Sequence, residues 1–112
     1  MKKLVILFFI IFNTTYSQDF DEGLVVVEFN ASFNKANEVS WLSKLTDCKV
    51  ERIDITTDSR WASEYKIVVV PTLVVFNNNE ESKRFQANIM MTMEATRKEV
   101  QDSVDEIIME AF

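Results

Sequence analysis

Histidine is absent from these 112 residues, and cysteine, glycine and proline occur once each, as Cys48, Gly23 and Pro71. Without imidazole and with one thiol, the usual donors of a transition-metal centre are missing. A lone cysteine also means no internal disulfide and no second thiol to complete a dithiol cycle. One glycine cannot build the glycine-rich loop that cradles a nucleotide's phosphates. Positive charge is scarce as well: 12 Lys and Arg face 18 Asp and Glu, a net charge of −6. That balance disfavours nucleic acid and anionic membrane surfaces, both of which select basic patches. No cofactor and no metal is expected.

What is present begins with an export signal. Lys2 and Lys3 precede an unbroken apolar run, Leu4 to Phe12, too short to span a bilayer but of the length of a signal-peptide core. Thr15 and Ser17 supply small residues at −3 and −1, so cleavage is expected after Ser17, with residues 1–17 removed and 18–112 forming one domain. The competing reading is an N-terminal buried strand. No cysteine sits near the junction to carry a lipid anchor. Loss of Lys2 and Lys3 leaves 10 basic and 18 acidic residues. The product is expected in the periplasm or outside the cell, with no membrane span.

Leu24 to Phe29 is a strand, rich in valine and interrupted by one acid, Glu28. Ala36, Val39, Leu42 and Leu45 recur at spacings near three, which predicts a helix over 34–45. A second strand is expected over 49–55, and Thr56-Thr57-Asp58 offers N-cap residues for a short helix through Tyr65. After Pro71, Thr72–Phe76 and 82–86 form a hairpin around Asn77-Asn78-Asn79, since asparagine tolerates the left-handed backbone of tight turns. A last helix is expected from about Thr92, with Val100, Val104, Ile107, Ile108 and Ala111 on one face. The order is β-α-β-α-β-β-α, an α/β fold of three layers around a four-stranded mixed sheet.

Two stretches resemble the thioredoxin superfamily. In LVVVEFNASFNKAN, residues 24–37, a strand with an internal acid enters a turn where Phe29, Ala31 and Phe33 match the family's aromatic, Ala and Trp positions. Asn34 and Asn37 stand where the family carries its Cys-x-x-Cys pair. In YKIVVVPTLVVF, residues 65–76, the match implies a cis Pro71. The resemblance covers nearly all of 18–112 and is weakest after Phe85. It implies a thioredoxin-like domain without the redox dithiol, because a carboxamide is no nucleophile at neutral pH. Asn34 reads as a helix N-cap and Asn37 as an exposed polar neighbour. No catalytic residue is assigned.

The resemblance further implies a groove in which Val70, Pro71 and Thr72, walled by Phe33, bind an extended peptide or protein segment, with Asn34 and Asn37 offering hydrogen bonds. Glu28 and Arg52 occupy the family's buried acid and its basic partner, and are read as an ion pair. Trp41, Trp61, Met90, Met91 and Met93 serve either the core or an adhesive surface. Cys48, at the end of the sheet opposite Asn34, is either a small core residue or an exposed thiol for an intermolecular disulfide. Asn30-Ala31-Ser32 spells a glycosylation sequon and is read as coincidence. The expected function is non-catalytic binding. The alternatives are residual or partner-dependent thiol–disulfide exchange, and a structural part in an envelope assembly.

Overall fold

Five consecutive buried residues, Val25 to Phe29, can be accommodated only by a strand covered on both faces, and β1 (Leu24–Asn30) is that strand. The computed structural model describes residues 19–112; the expected signal peptide, 1–17, lies outside the described residues. β1 pairs in parallel with β2 (Lys49–Asp54) and antiparallel with β3 (Thr72–Asn77), which in turn pairs antiparallel with β4 (Glu80–Gln86). The sheet order is β2-β1-β3-β4, a mixed four-stranded sheet. Two helices complete the fold, α1 (Ser59–Tyr65) between β2 and β3, and α2 (Arg97–Glu110) after β4.

Side chains alternate across a strand, and the alternation of β1 divides the interior into two cores. Val25, Val27 and Phe29 join Val74, Phe76 and Phe20, with Trp61 and Tyr65 of α1 packed against them. Val26 joins Leu73, Val75 and the Val100 and Val104 of α2 on the opposite face. Thr96 starts α2 with a reciprocal cap: its side chain accepts the Glu99 N–H while the Glu99 carboxylate accepts the Thr96 N–H. That box places the start at Arg97, five residues later than the sequence pattern predicts. Asp58 caps α1 by accepting the Arg60 N–H.

The helix expected over 34–45 does not form. Two 3-10 turns, Ser32–Asn37 and Leu42–Lys44, occupy the segment instead. Asn34 leaves helical angles at φ −113°, ψ 19°, and Glu38 is extended at ψ 152°. The cause lies at Val39. Its N–H donates to Glu28 Oε2 at 2.9 Å, and its carbonyl accepts from Arg52 Nη2 at 2.9 Å. With its N–H committed sideways and its carbonyl shared between Arg52 and the Leu42 N–H three residues on, at 3.4 Å, the segment takes 3-10 rather than α-helical spacing at that residue. Val39, Leu42 and Leu45 still reach the core.

The hairpin turn has a second task. Asn78 and Asn79 both adopt positive φ, 53° and 66°, as a tight β-hairpin turn demands. Asn78 Oδ1 accepts the Gly23 N–H at 2.7 Å. The Asn79 carboxamide accepts the Phe20 N–H at 2.9 Å and donates to the Phe20 carbonyl at 2.8 Å. Gly23 itself sits at φ +87° with open space where a Cβ would project, so backbone angle rather than crowding selects glycine. Phe20 is thereby held in the core against Phe76, 4.7 Å between ring centroids, and Tyr65, 5.7 Å. Asp19 accepts from the Tyr65 hydroxyl beside it. Deleting the Phe20 ring should open a cavity there: Phe20→Ala is expected to lower unfolding free energy by about 3 kcal/mol, measured by urea denaturation.

Candidate functional site

Asn34 is the buried polar residue on which three loops converge. Its Nδ2 lies 3.1 Å from the Met91 carbonyl, 3.2 Å from Asn30 Oδ1 and 3.4 Å from the Val70 carbonyl. Two amide hydrogens are thus shared among three acceptors. Its Oδ1 accepts from Asn37 Nδ2 at 2.8 Å, and its own carbonyl accepts from Asn30 Nδ2 at 3.2 Å. The expected N-cap role is overturned: Ala31 holds the cap position and no side chain caps the turn. A residue with its carboxamide turned inward to three segments is unavailable to cap. Asn37 is exposed, as its position in the turn dictates.

Around this tie the apolar surface is exposed. Phe33 is 73% exposed, Val68 80%, Ile89 96% and Met90 73%. They lie on the same three segments that Asn34 fastens: 32–37, 68–70 and 88–92. Of the residues expected to form a groove, only Phe33 faces solvent; Val70, Pro71 and Thr72 are buried. The Val70–Pro71 peptide bond is cis. Thr72 Oγ1 donates to the Val69 carbonyl at 2.7 Å, and the Pro71 carbonyl accepts the Ala87 N–H at 3.0 Å. Sequence patterning did not single out Val68 or Ile89, since both lie in short loops without periodicity. Among the methionines, Met93 packs on the core while Met90 stands outside it. Both tryptophans pack against the two cores.

On the other side of the first 3-10 turn lies the charged centre. Glu28 and Arg52 are directly opposed in the β1–β2 register. Glu28 is 1% exposed. Arg52 Nη1 donates to Glu28 Oε1 and lies 3.5 Å from Glu38 Oε2. A cavity of about 200 Å³ opens beside them, lined by Glu28, Arg52, Lys35, Glu38, Ser32 and Asp54 among others. Burial pushes the Glu28 pKa above its ordinary value, and the Val39 N–H and the Arg52 charge only partly oppose that.

Cys48 precedes β2, whose Lys49 pairs with Val25 at the start of β1, the end of the sheet away from Asn30 and Asn34. Its thiol is partly buried. Burial, then the Asp47 and Asp105 charges, push its pKa up, which keeps it protonated and a poor nucleophile. Among the described residues no cluster of His, Cys, Asp and Glu is placed to hold a metal ion, and no helix is long and apolar enough to cross a membrane.

A central β1 with β2 parallel and β3 antiparallel beside it, helices on both faces and Asn34 at the C-terminal end of β1 reproduce a known architecture. A point-mutant thioredoxin of Halobacterium salinarum NRC-1 superposes with a TM-score of 0.61 at 25% identity, over 77% of this chain and 75% of that one. The chain has the fold of the thioredoxin superfamily. Schistosoma mansoni thioredoxin matches this thioredoxin-like chain with a TM-score of 0.60 at 22% identity, over 79% and 80% of the two chains. Thioredoxin 1 of Thermosipho africanus TCF52B gives 0.58 at 21%, over 78% and 97%. No family model matches the sequence, and no curated protein matches it.

Two outcomes follow for the thioredoxin-like site. Asn34→Ala strands the Val70 and Met91 carbonyls and is expected to cost about 1–3 kcal/mol in unfolding free energy, read by urea denaturation. For Glu28 the folded pKa lies above the unfolded value near 4.5. Its contribution to stability is therefore full below that pH and declines as pH rises through the folded pKa. Glu28→Gln should abolish this decline, so the stability of the native chain relative to the variant falls as pH rises above about 4.5 when both are unfolded in urea.

Proposed function

We propose that this is an exported, redox-inert thioredoxin-fold module that docks an extended peptide or protein segment on the apolar rim around Asn34. The observation that carries the reading is the exposure of Phe33, Val68, Ile89 and Met90 on three loops tied to one buried carboxamide. Large apolar side chains exposed on loops that are fastened together are the kind of surface that supports an interaction site. Fastening the loops in advance reduces the ordering cost of binding. The carbonyl of Val70 already faces Asn34, so apolar contact with the rim, rather than strand pairing through that carbonyl, supplies the affinity. Asn37 presents an exposed carboxamide beside the rim for one polar contact.

Redox inertness rests on residue types. The resemblance sets Asn34 and Asn37 at the family's two cysteine positions, and neither side chain supplies a thiolate. Cys48, the one thiol, lies just before β2, at the end of the sheet away from Asn34. Export rests on Lys2, Lys3 and the apolar run that follows.

The test is an NMR titration of the isotopically labelled full chain with reduced, carboxymethylated α-lactalbumin, a permanently unfolded protein. Shifts are expected at Phe33, Val68, Ile89 and Met90, and Phe33→Ser should weaken binding about tenfold. Insulin reduction by the same preparation should match buffer. Shifts confined to other faces, or none with the fold intact, overturn the docking reading; turnover above buffer overturns redox inertness.

A further inference from the structure

We infer that the Met90 thioether is a modification site, whose oxidation to the sulfoxide by a peroxide switches docking off; the inference rests on the docking reading above. Three of the five methionines fall in the four residues Met90–Met93, and their environments differ. Met93 packs on the core, Met91 is 38% exposed, and Met90 is at the open tip.

The loop is built to keep Met90 there. Asn88 Oδ1 accepts the Met90 N–H at 2.9 Å and the Thr92 N–H at 3.1 Å. The Asn88 N–H donates to the Thr92 carbonyl, and the Asn88 carbonyl accepts the Met91 N–H, both at 3.0 Å. Met91 adopts φ +61°, and its carbonyl is fastened to Asn34. With its polar groups closed on themselves and on Asn34, the loop presents Ile89 and Met90 to solvent.

The chemistry is a two-electron oxygen transfer. A sulfur lone pair attacks one peroxide oxygen, the S–O bond forms as the O–O bond breaks, and the displaced hydroxide takes the remaining proton. The products are one sulfoxide and one water for hydrogen peroxide, or one alcohol for an alkyl peroxide. The sulfoxide is polar where the thioether was apolar. Pressed into apolar contact, its oxygen would lose hydrogen bonds to water without replacement. The thiol of Cys48 is partly buried and its raised pKa disfavours the thiolate, the form that attacks peroxides.

Met109 on α2 supplies an internal comparison, being 74% exposed and outside the three loops. The full chain, treated with graded hydrogen peroxide and mapped by peptide mass spectrometry, should form Met90 and Met109 sulfoxides together and Met93 sulfoxide last. Affinity for carboxymethylated α-lactalbumin should then fall about tenfold in the native chain and in Met109→Leu. Met90→Leu, whatever its starting affinity, should keep it through the treatment. Undiminished affinity of a chain oxidised at Met90, or an equal loss in Met90→Leu, overturns the switch while leaving docking intact. Absence of binding before any oxidation overturns docking and the switch together.

Discussion

A carboxylate inside the central strand of the sheet is the constraint from which the local architecture follows. A buried charge is tolerated only when its lone pairs are met, and Glu28 meets this demand with the Arg52 guanidinium and the Val39 N–H. Arg52 in turn takes the Val39 carbonyl. One residue thus gives its N–H to a neighbouring layer and shares its carbonyl with it, and the segment that carries it does not wind as an α-helix. The segment kinks into two tight turns, yet keeps Val39, Leu42 and Leu45 on the core.

The kink has a counterpart at the end of β1. Residues 32–37 lie as a 3-10 turn with Asn34 turned inward, where its carboxamide joins the loops before β3 and after β4. Buried polarity is used twice within a few residues: as an ion pair that shapes the backbone, and as a neutral amide that gathers loops. The ion pair tunes the charge state of the interior. The amide leaves the exterior apolar, with Phe33, Val68, Ile89 and Met90 outside it.

The sheet and the last helix were legible because their signals are local. Valine runs, the paired asparagines of the hairpin and the spacing of Val100, Val104, Ile107 and Ile108 each specify an element without reference to the rest. The segment 34–45 misled for a physical reason. A spacing of three among Ala36, Val39, Leu42 and Leu45 suits three residues per turn as well as it suits 3.6, and the partner that decides between them, Glu28, lies in another strand. Asn34 misled in the same way, since a capping asparagine and a loop-gathering one look alike until Val70 and Met91 are brought beside them. Val68 and Ile89 carried no periodic signal; exposure of a loop side chain is a property of the assembled surface.

The fastening of Phe20 to Asn79 gives the chain a mechanical character. A pull on Asp19 enters at Phe20 and passes directly to the hairpin turn through two hydrogen bonds, and to the hydrophobic interior through the ring. Gly23 is likewise anchored to Asn78, so β1 cannot peel away alone. The load is shared with the β3–β4 hairpin, while the rim at the other end of β1 is shielded from the pull. A pull at residue 19 is therefore spread over two strands before it reaches the loops around Asn34.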